Sequence, residues 1–426
     1  VTPPARPLPR RALPARLAVP VLLAAALGAC GDDGSDAADV PDELRGWTRG
    51  EVLGHADMTA YDQVAVASDG SRTAWLSRAR GNTDVLGVSE WSATGDRQVE
   101  QTDLAMPGGT ANGLAVPAAM AVDDAGWTGV AELKDEPGGR SAALAVWSGA
   151  AGAPGSPATL DLPEGHVVSR TVAAGRSPDV AAVLALTGEA PSTVGLPEAS
   201  TLALWTAPVG GDGTVDPAAW TPAAPDLGTD GPLASARLAG DGRGLVLAGA
   251  TADGLAGVWT STDGTAWEPV AGDPPSGVDE VDVLAPLGDG TALIGWTTGD
   301  DGREAELWRL DGAELRASGT IAAPEGATLD IAGAAAAGDR LVVGGSTRRT
   351  DTTNPMMWAS AAGGDGADGG DGDAEWVASD QPELVGHLDW TVAALAGDGE
   401  DRLGAVLVAY PSHIDVATWG WDRPEE

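Results

Sequence analysis

The cations in this sequence fall in places where they could hold an anion. Arg78, Arg80, Lys134, Arg140, Arg303, Arg348 and Arg349 lie in short polar stretches between apolar runs. The guanidinium fork suits carboxylate and phosphate oxygens. Arg170 and Arg237 differ in setting: each opens a run of small apolar residues, "RTVAAG" and "ARLAG". Asp84, Asp135, Glu136, Asp301 and Glu304 share the polar stretches. Two readings therefore stand side by side, an anion site and simple charge balance among solvated loop tips. Other reactive groups are sparse. His55, His166, His387 and His413 lack the spacing of a zinc site, and no serine occupies a Gly-x-Ser-x-Gly elbow. Tyr61 and Tyr410 are the two tyrosines. The acidic stretch "GGDGADGGDGD" (363–373) lacks the large apolar residues of a folded calcium-binding repeat and reads as a flexible loop. No metal and no cofactor is expected.

These groups need a scaffold, and its address is written at the N-terminus. Arg6, Arg10, Arg11 and Arg16 precede an apolar run from Leu17 to Leu27, too short for a stable membrane span. Leu27-Gly28-Ala29-Cys30 resembles the lipobox of bacterial lipoproteins. That resemblance implies cleavage before Cys30, a lipid on its sulfur, and a place on the extracytoplasmic face of the cell membrane. An ordinary secretory signal with an incidental cysteine is the alternative. Residues 1–29 are thus read as a signal peptide and residues 30–45 as a flexible acidic tether. The absence of Phe, the single Lys134 and the wealth of Ala, Gly, Pro and Arg resemble high-GC actinobacterial composition, and Val1 as a start agrees.

Without the four signal-peptide arginines the 24 basic residues become 20, against 63 acidic ones, a net charge of −43. Nucleic acid, which requires a basic surface, is excluded as a partner. With Cys30 as the single cysteine, no intrachain disulfide can form. Burial must supply stability, and a chain this long exceeds what one core usually serves.

A repeat resolves the difficulty. Trp91, Trp147, Trp205, Trp259, Trp308, Trp358 and Trp419 each end a short apolar run before a small or polar turn, at spacings of 49 to 61 residues. This period fits four-stranded blades. The expected fold is all-β, a seven-bladed β-propeller of four-stranded antiparallel blades spanning 46–426. Small-residue runs such as "PAAMAV" and "AGAAAAG" suit inner strands converging on an axis. The second strands are more apolar and the third carry the marker Trp. Fourth strands often carry another, at Trp220, Trp267 and Trp376. Most of the 16 Trp are read as filler between blades rather than as sugar-stacking platforms. The seventh unit stops after three strands. "GWTRGEVL" (46–53) matches the fourth-strand pattern and is expected to close the ring against 415–421.

Ser261-Thr262-Asp263-Gly264-Thr265-Ala266-Trp267 is similar to the Asp-box of sialidase-like propellers, shortened by one residue before the glycine; "SATGD" (92–96) and "RLDG" (309–312) match in part. The resemblance implies a structural turn between third and fourth strands, on the face opposite the active site. It also implies what catalysis would require: a tyrosine nucleophile activated by Glu, an Asp acid/base and three arginines on the sugar carboxylate. Tyr61 at the start of an inner strand and Tyr410 at the end of a second strand do not match that context. Arg170 and Arg237 have no third companion. The expected role is a non-catalytic binding module, monomeric, for an acidic glycan, a peptide or an envelope protein. Its ligand face would be built on the hairpins between second and third strands. A divergent glycoside hydrolase and a structural component of an envelope complex are the alternatives.

Overall fold

The computed structural model describes residues 44, 46–53, 61–69, 71–79, 85–92, 100–107, 115–134, 139–190, 201–271, 278–287, 290–299, 302–324, 326–338, 340–349, 352–360, 376–380, 389–399, 402–410 and 415–422. Cys30, the signal segment, most of the tether and the acidic stretch 363–373 lie outside the described residues. No helix among the described residues is long and apolar enough to cross a membrane.

Among the described residues twenty-eight strands form seven four-stranded antiparallel sheets. Blades one to six each use four consecutive strands, the first in each being the inner one. The inner strands are Tyr61–Ser68, Ala115–Asp123, His166–Arg176, Ser235–Asp241, Val278–Pro286 and Thr328–Ala337. Blade seven combines the last three strands of the chain, Asp389–Gly397, Arg402–Tyr410 and Asp415–Asp422, with Thr48–Leu53 as its outer strand. Thr48 pairs with Gly420, Arg49 with Trp419, Val52 with Ala417 and Leu53 with Val416, with an irregularity between Arg49 and Val52. The ring is closed by the segment that the sequence pattern selects for this task, so the last third strand is not left as a bare edge. Leu44, read from the sequence as tether, is only 1% exposed and packs in the core with Trp47. An apolar side chain beside a closing strand is recruited to the core it abuts.

Small residues on the inner strands permit close approach around the axis. A Cβ on Gly240 in blade four would lie 1.6 Å from the Arg176 carbonyl oxygen in blade three. The turns between first and second strands are held by aspartates, because a short carboxylate reaches the N–H groups two and three residues ahead. The Asp69 carboxylate accepts from Ser71 and Arg72, that of Asp123 from Ala125 and Gly126, and that of Asp241 from Arg243 and Gly244.

Tryptophan fills the seams. Fourteen of the sixteen are buried, Trp390 included, and Trp220 and Trp376 are half-buried. Each marker Trp packs with the preceding blade: Trp147 with Leu76 and Val88, Trp205 with Leu144 and Val146, Trp419 with Val342 and Met357. Trp220 and Trp267 stand one residue before their outer strands, Thr221–Ala223 and Glu268–Pro269, rather than within them. Both short strands contain a proline, which lacks the N–H needed to extend a ladder.

Candidate functional site

The inner strands enclose a central cavity of about 520 Å³. Alanine is the commonest residue of its wall, with Ala119, Ala173, Ala239, Ala285, Ala334 and Ala394 each contributed by a different blade. Alternation of strand direction puts the hairpins between second and third strands at one end of this channel. The other two hairpins of each blade lie at the opposite end. Arg237, third in its inner strand, therefore lines the channel toward the second-to-third hairpins.

Arg237 is tied to blade five. Its Nη2 donates to Asp282 Oδ1 at 2.8 Å and its Nε to the Asp282 carbonyl at 2.8 Å. Trp296 Nε1 donates to the other carboxylate oxygen of Asp282 at 2.7 Å. The guanidinium is about one-third exposed, so it can still meet a solute in the channel. Glu132 also lines the channel, and its Oε2 accepts from the Ser141 hydroxyl at 2.5 Å. Among the described residues no group of three or more His, Cys, Asp or Glu is placed to hold a metal ion.

The candidate cations occupy separate settings. Arg78 is not on a ligand face: it is 5% exposed within a second strand, and its Nη1 donates to the Ala115 carbonyl of blade two at 3.2 Å. The hairpins are shorter than the sequence pattern suggested, so strand pairing has drawn this residue into the wall between blades. Arg348 and Arg349 also belong to a strand, Arg340–Arg349, but at its last two positions, where both are exposed. Their backbone carbonyls accept from Thr328 and Thr352, which fixes the strand end while the side chains face solvent. Alternation sends the two side chains to opposite sides of the sheet. Arg140 is exposed before the third strand of blade two, and Lys134 is half-buried at the end of the second.

Arg170 and Arg303 lie in the strands His166–Arg176 and Gly302–Asp311; their side chains, like those of Tyr61 and Tyr410, lie outside the described residues. Arg80, His55, His387 and His413 lie outside them altogether. His166 begins the inner strand of blade three, its Nδ1 3.3 Å from Thr187 Oγ1.

At the opposite end lies the Asp263 turn, between the third and fourth strands of blade four. Asp263 Oδ1 accepts from the N–H groups of Thr265 (2.7 Å) and Ala266 (2.9 Å) and from the Ser261 hydroxyl (3.2 Å). Ser261 Oγ accepts from the Gly264 N–H, and the Trp267 indole donates to the Gly264 carbonyl. The N–H groups of Ala266 and Thr265 hold the Asp263 carboxyl down at about 2. Gly264 has φ +74° and a Cβ there would lie 2.6 Å from Thr206 Cγ2, so conformation and space both demand glycine. The turn braces blade four against blade three, with its polar groups directed into its own backbone.

The sequence reading missed a buried polar cluster between blades. Arg176, 1% exposed, sits 2.9 Å through Nε from Asp123 Oδ1 in blade two, and its Nη2 donates to the Gly213 carbonyl at 2.6 Å. Its Nη1 reaches the Trp127 carbonyl and Thr128 Oγ1 at 3.4 Å. In blade one Arg72 pairs with Glu90 and donates to the carbonyls of Asp123 and Asp124, while Glu90 accepts from the Gly152 N–H. The available signal was an Arg ending one small-residue strand ("AAGR") and an Asp ending the one before it ("AVDD").

No family model and no curated protein matches the chain. Among solved structures it is similar to the NanB sialidase from Streptococcus pneumoniae, with 10% identity and a TM-score of 0.45 over 87% of this chain and 70% of that one. The β-propeller domain of the Trilobed protease from Pyrococcus furiosus gives 10% identity and a TM-score of 0.44, over 86% and 97% of the two chains. A protein from Lactobacillus plantarum gives 14% and 0.45, over 83% and 97%. Likeness at this level carries no argument about chemistry. The seven-bladed fold rests on the strand pairing itself.

Proposed function

We propose that the chain is a lipid-anchored, extracytoplasmic propeller, monomeric, that binds an anionic ligand or partner without transforming it. An acidic glycan, an acidic peptide and an envelope protein share the chemistry that would fit. The observation that carries this reading is the exposure of Arg348 and Arg349 at the strand end where blade six meets its second-to-third hairpin. Arg72, Arg78, Arg176 and Arg237, by contrast, join blades. In a chain this acidic, two exposed arginines at one strand end, one on each side of the sheet, offer a local attraction for carboxylate or phosphate. The lipobox-like Leu27-Gly28-Ala29-Cys30 supports the anchor and the location.

The test is a titration of acidic glycans and acidic peptides into the soluble domain, with and without Arg348→Ala and Arg349→Ala. Weakened binding in the double variant supports the reading, and unchanged affinity across the set leaves charge balance as the role of these residues. Glu132 and Asp282 on the channel wall favour a second reading, a divergent glycoside hydrolase. Sugar-release assays on sialylated and neutral glycans separate the two.

A further inference from the structure

One seam of the ring differs from the rest. Thr73 and Trp75 on the second strand of blade one face the same way as their cross-strand partners Trp91 and Ser89 on the third. All four are at most 2% exposed. Thr73 Oγ1, Trp75 Nε1, Ser89 Oγ and Trp91 Nε1 are all buried without a hydrogen-bond partner. Trp75 and Trp91 pack against Ala396, Val406, Val408 and Val416, so this face meets blade seven. In two other blades the corresponding indole is satisfied by the neighbouring blade: Trp147 Nε1 donates to the Ala105 carbonyl at 2.7 Å and Trp259 Nε1 to the Leu227 carbonyl at 3.1 Å.

The apolar packing points the same way. Among the described residues this seam buries a core of six side chains, whereas that between blades six and seven buries sixteen. Blade seven is also held to blade six by the Gly338 N–H donating to the Gly399 carbonyl. It is therefore bound more firmly on one side than on the other.

We propose that the ring opens at the seam between blades seven and one, with blade seven moving as a unit with blade six. Each buried polar group without a partner shifts a closed–open equilibrium toward the open state, where water satisfies it, by about ten- to a hundredfold. Four such groups on one thinly packed seam make it the weakest in the ring. The central cavity is lined on one side of this seam by Ala65, Val66 and Ala67 and on the other by Ala393, Ala394 and Leu395. Opening gives the channel a lateral entrance, whichever ligand the hairpin face binds. Hydrogen bonds within each blade survive, so side-chain access is the appropriate readout.

The experiment uses the full chain with Cys30→Ser, so that an introduced cysteine is the sole thiol. Val406→Cys places it in this seam, and Val130→Cys places it at the equivalent second-strand site between blades two and three; both valines are fully buried. Under native conditions a maleimide should label Val406→Cys at least about tenfold faster than Val130→Cys. Adding Thr73→Val and Ser89→Ala, which removes two of the four groups, should slow labelling at 406 by at least about a hundredfold and leave 130 unchanged. Equal rates at the two sites would overturn the proposal, as would a rate at 406 indifferent to those substitutions. If the variant with these two added substitutions does not fold, the comparison of the two cysteine sites decides.

Discussion

Trp47 stands to Trp419 as Trp267 stands to Trp259. In blade seven the residue paired with Trp419 is Arg49, two after Trp47; in blade four the residue paired with Trp259 is Pro269, two after Trp267. Each pair shares one buried cluster. A strand separated from its blade by most of the chain thus repeats the internal arrangement of a blade made from one continuous stretch. The outer strand is specified by its fit to the third-strand Trp, whatever its place in the sequence.

Deleting 46–53 should therefore cost at least about 3–5 kcal/mol, because it removes Trp47 from the core and strips the third strand of its partner. Deleting 31–43 should leave urea unfolding unchanged. This control deletion must not be extended forward to 44, since Leu44 is buried beside Trp47. If loss of 46–53 leaves the unfolding midpoint unmoved, the strand does not lock the ring.

The repeat was legible because its signals are local. Trp259, the Ser261–Trp267 turn and the small inner strands all announce themselves within a few residues. Arg78 and Arg176 were not legible, because what they do is decided across a seam. Their partners Ala115 and Asp123 lie 37 and 53 residues away, at positions that no local pattern aligns. The strand ends are hard to read for a related reason: polarity at a strand end looks like loop, yet Thr352 and Thr353 pair with Arg349 and Arg348 to the last position. The same polarity keeps Arg348 and Arg349 exposed.

Substitution of both Arg348 and Arg349 by Ala should weaken binding of an acidic ligand while shifting stability by no more than about 0.5 kcal/mol. Binding by the intact domain should fall as salt is raised, since exposed charges are screened over about 8–10 Å near physiological ionic strength. A salt-independent affinity would point away from these two residues.

Cys30→Ser should release the protein into the medium still folded. A single fatty chain binds a bilayer only marginally, and bacterial lipoproteins carry more than one on this cysteine. Fractionation of cells expressing the variant gives the answer: retention with the membranes would remove the anchor from the proposal.

Two aspartates should respond to pH with opposite sign. Asp263 is held at about 2 by the N–H groups of Ala266 and Thr265, below the ordinary 3.8. Its contribution is present above the unfolded value and is lost as pH falls from near 4 through about 2. Because this carboxylate faces solvent, the loss should stay below about 1 kcal/mol. Burial raises the Asp69 carboxyl above 3.8 despite hydrogen bonds from Arg72 and Ser71. Ionising it in the folded state therefore costs stability as pH rises from its unfolded value through the raised one. Asp263→Asn should flatten the low-pH loss in a series of thermal melts, whereas Asp69→Asn should gain more at pH 7 than at pH 3. Matching pH profiles for the two variants would contradict the assignment.

The Arg176–Asp123 pair offers the sharpest test of what holds neighbouring blades together. Arg176 is completely buried, and its fork reaches Asp123 in blade two and the Gly213 carbonyl in its own blade. Removing one member of a buried pair leaves the other charge without compensation, at a typical cost of about 3–5 kcal/mol. Arg176→Met should show a loss of this size in urea unfolding at neutral pH. Lysine is a point charge and cannot serve both acceptors, so Arg176→Lys should recover only part of it. Asp123→Asn keeps an acceptor for the Ala125 and Gly126 N–H groups and removes only the charge. Combined with Arg176→Met it should cost less than the two single changes added together, because no lone charge is left in the seam. Strict additivity would mean that Arg176 acts through its carbonyl contacts and its volume, with the ion pair incidental.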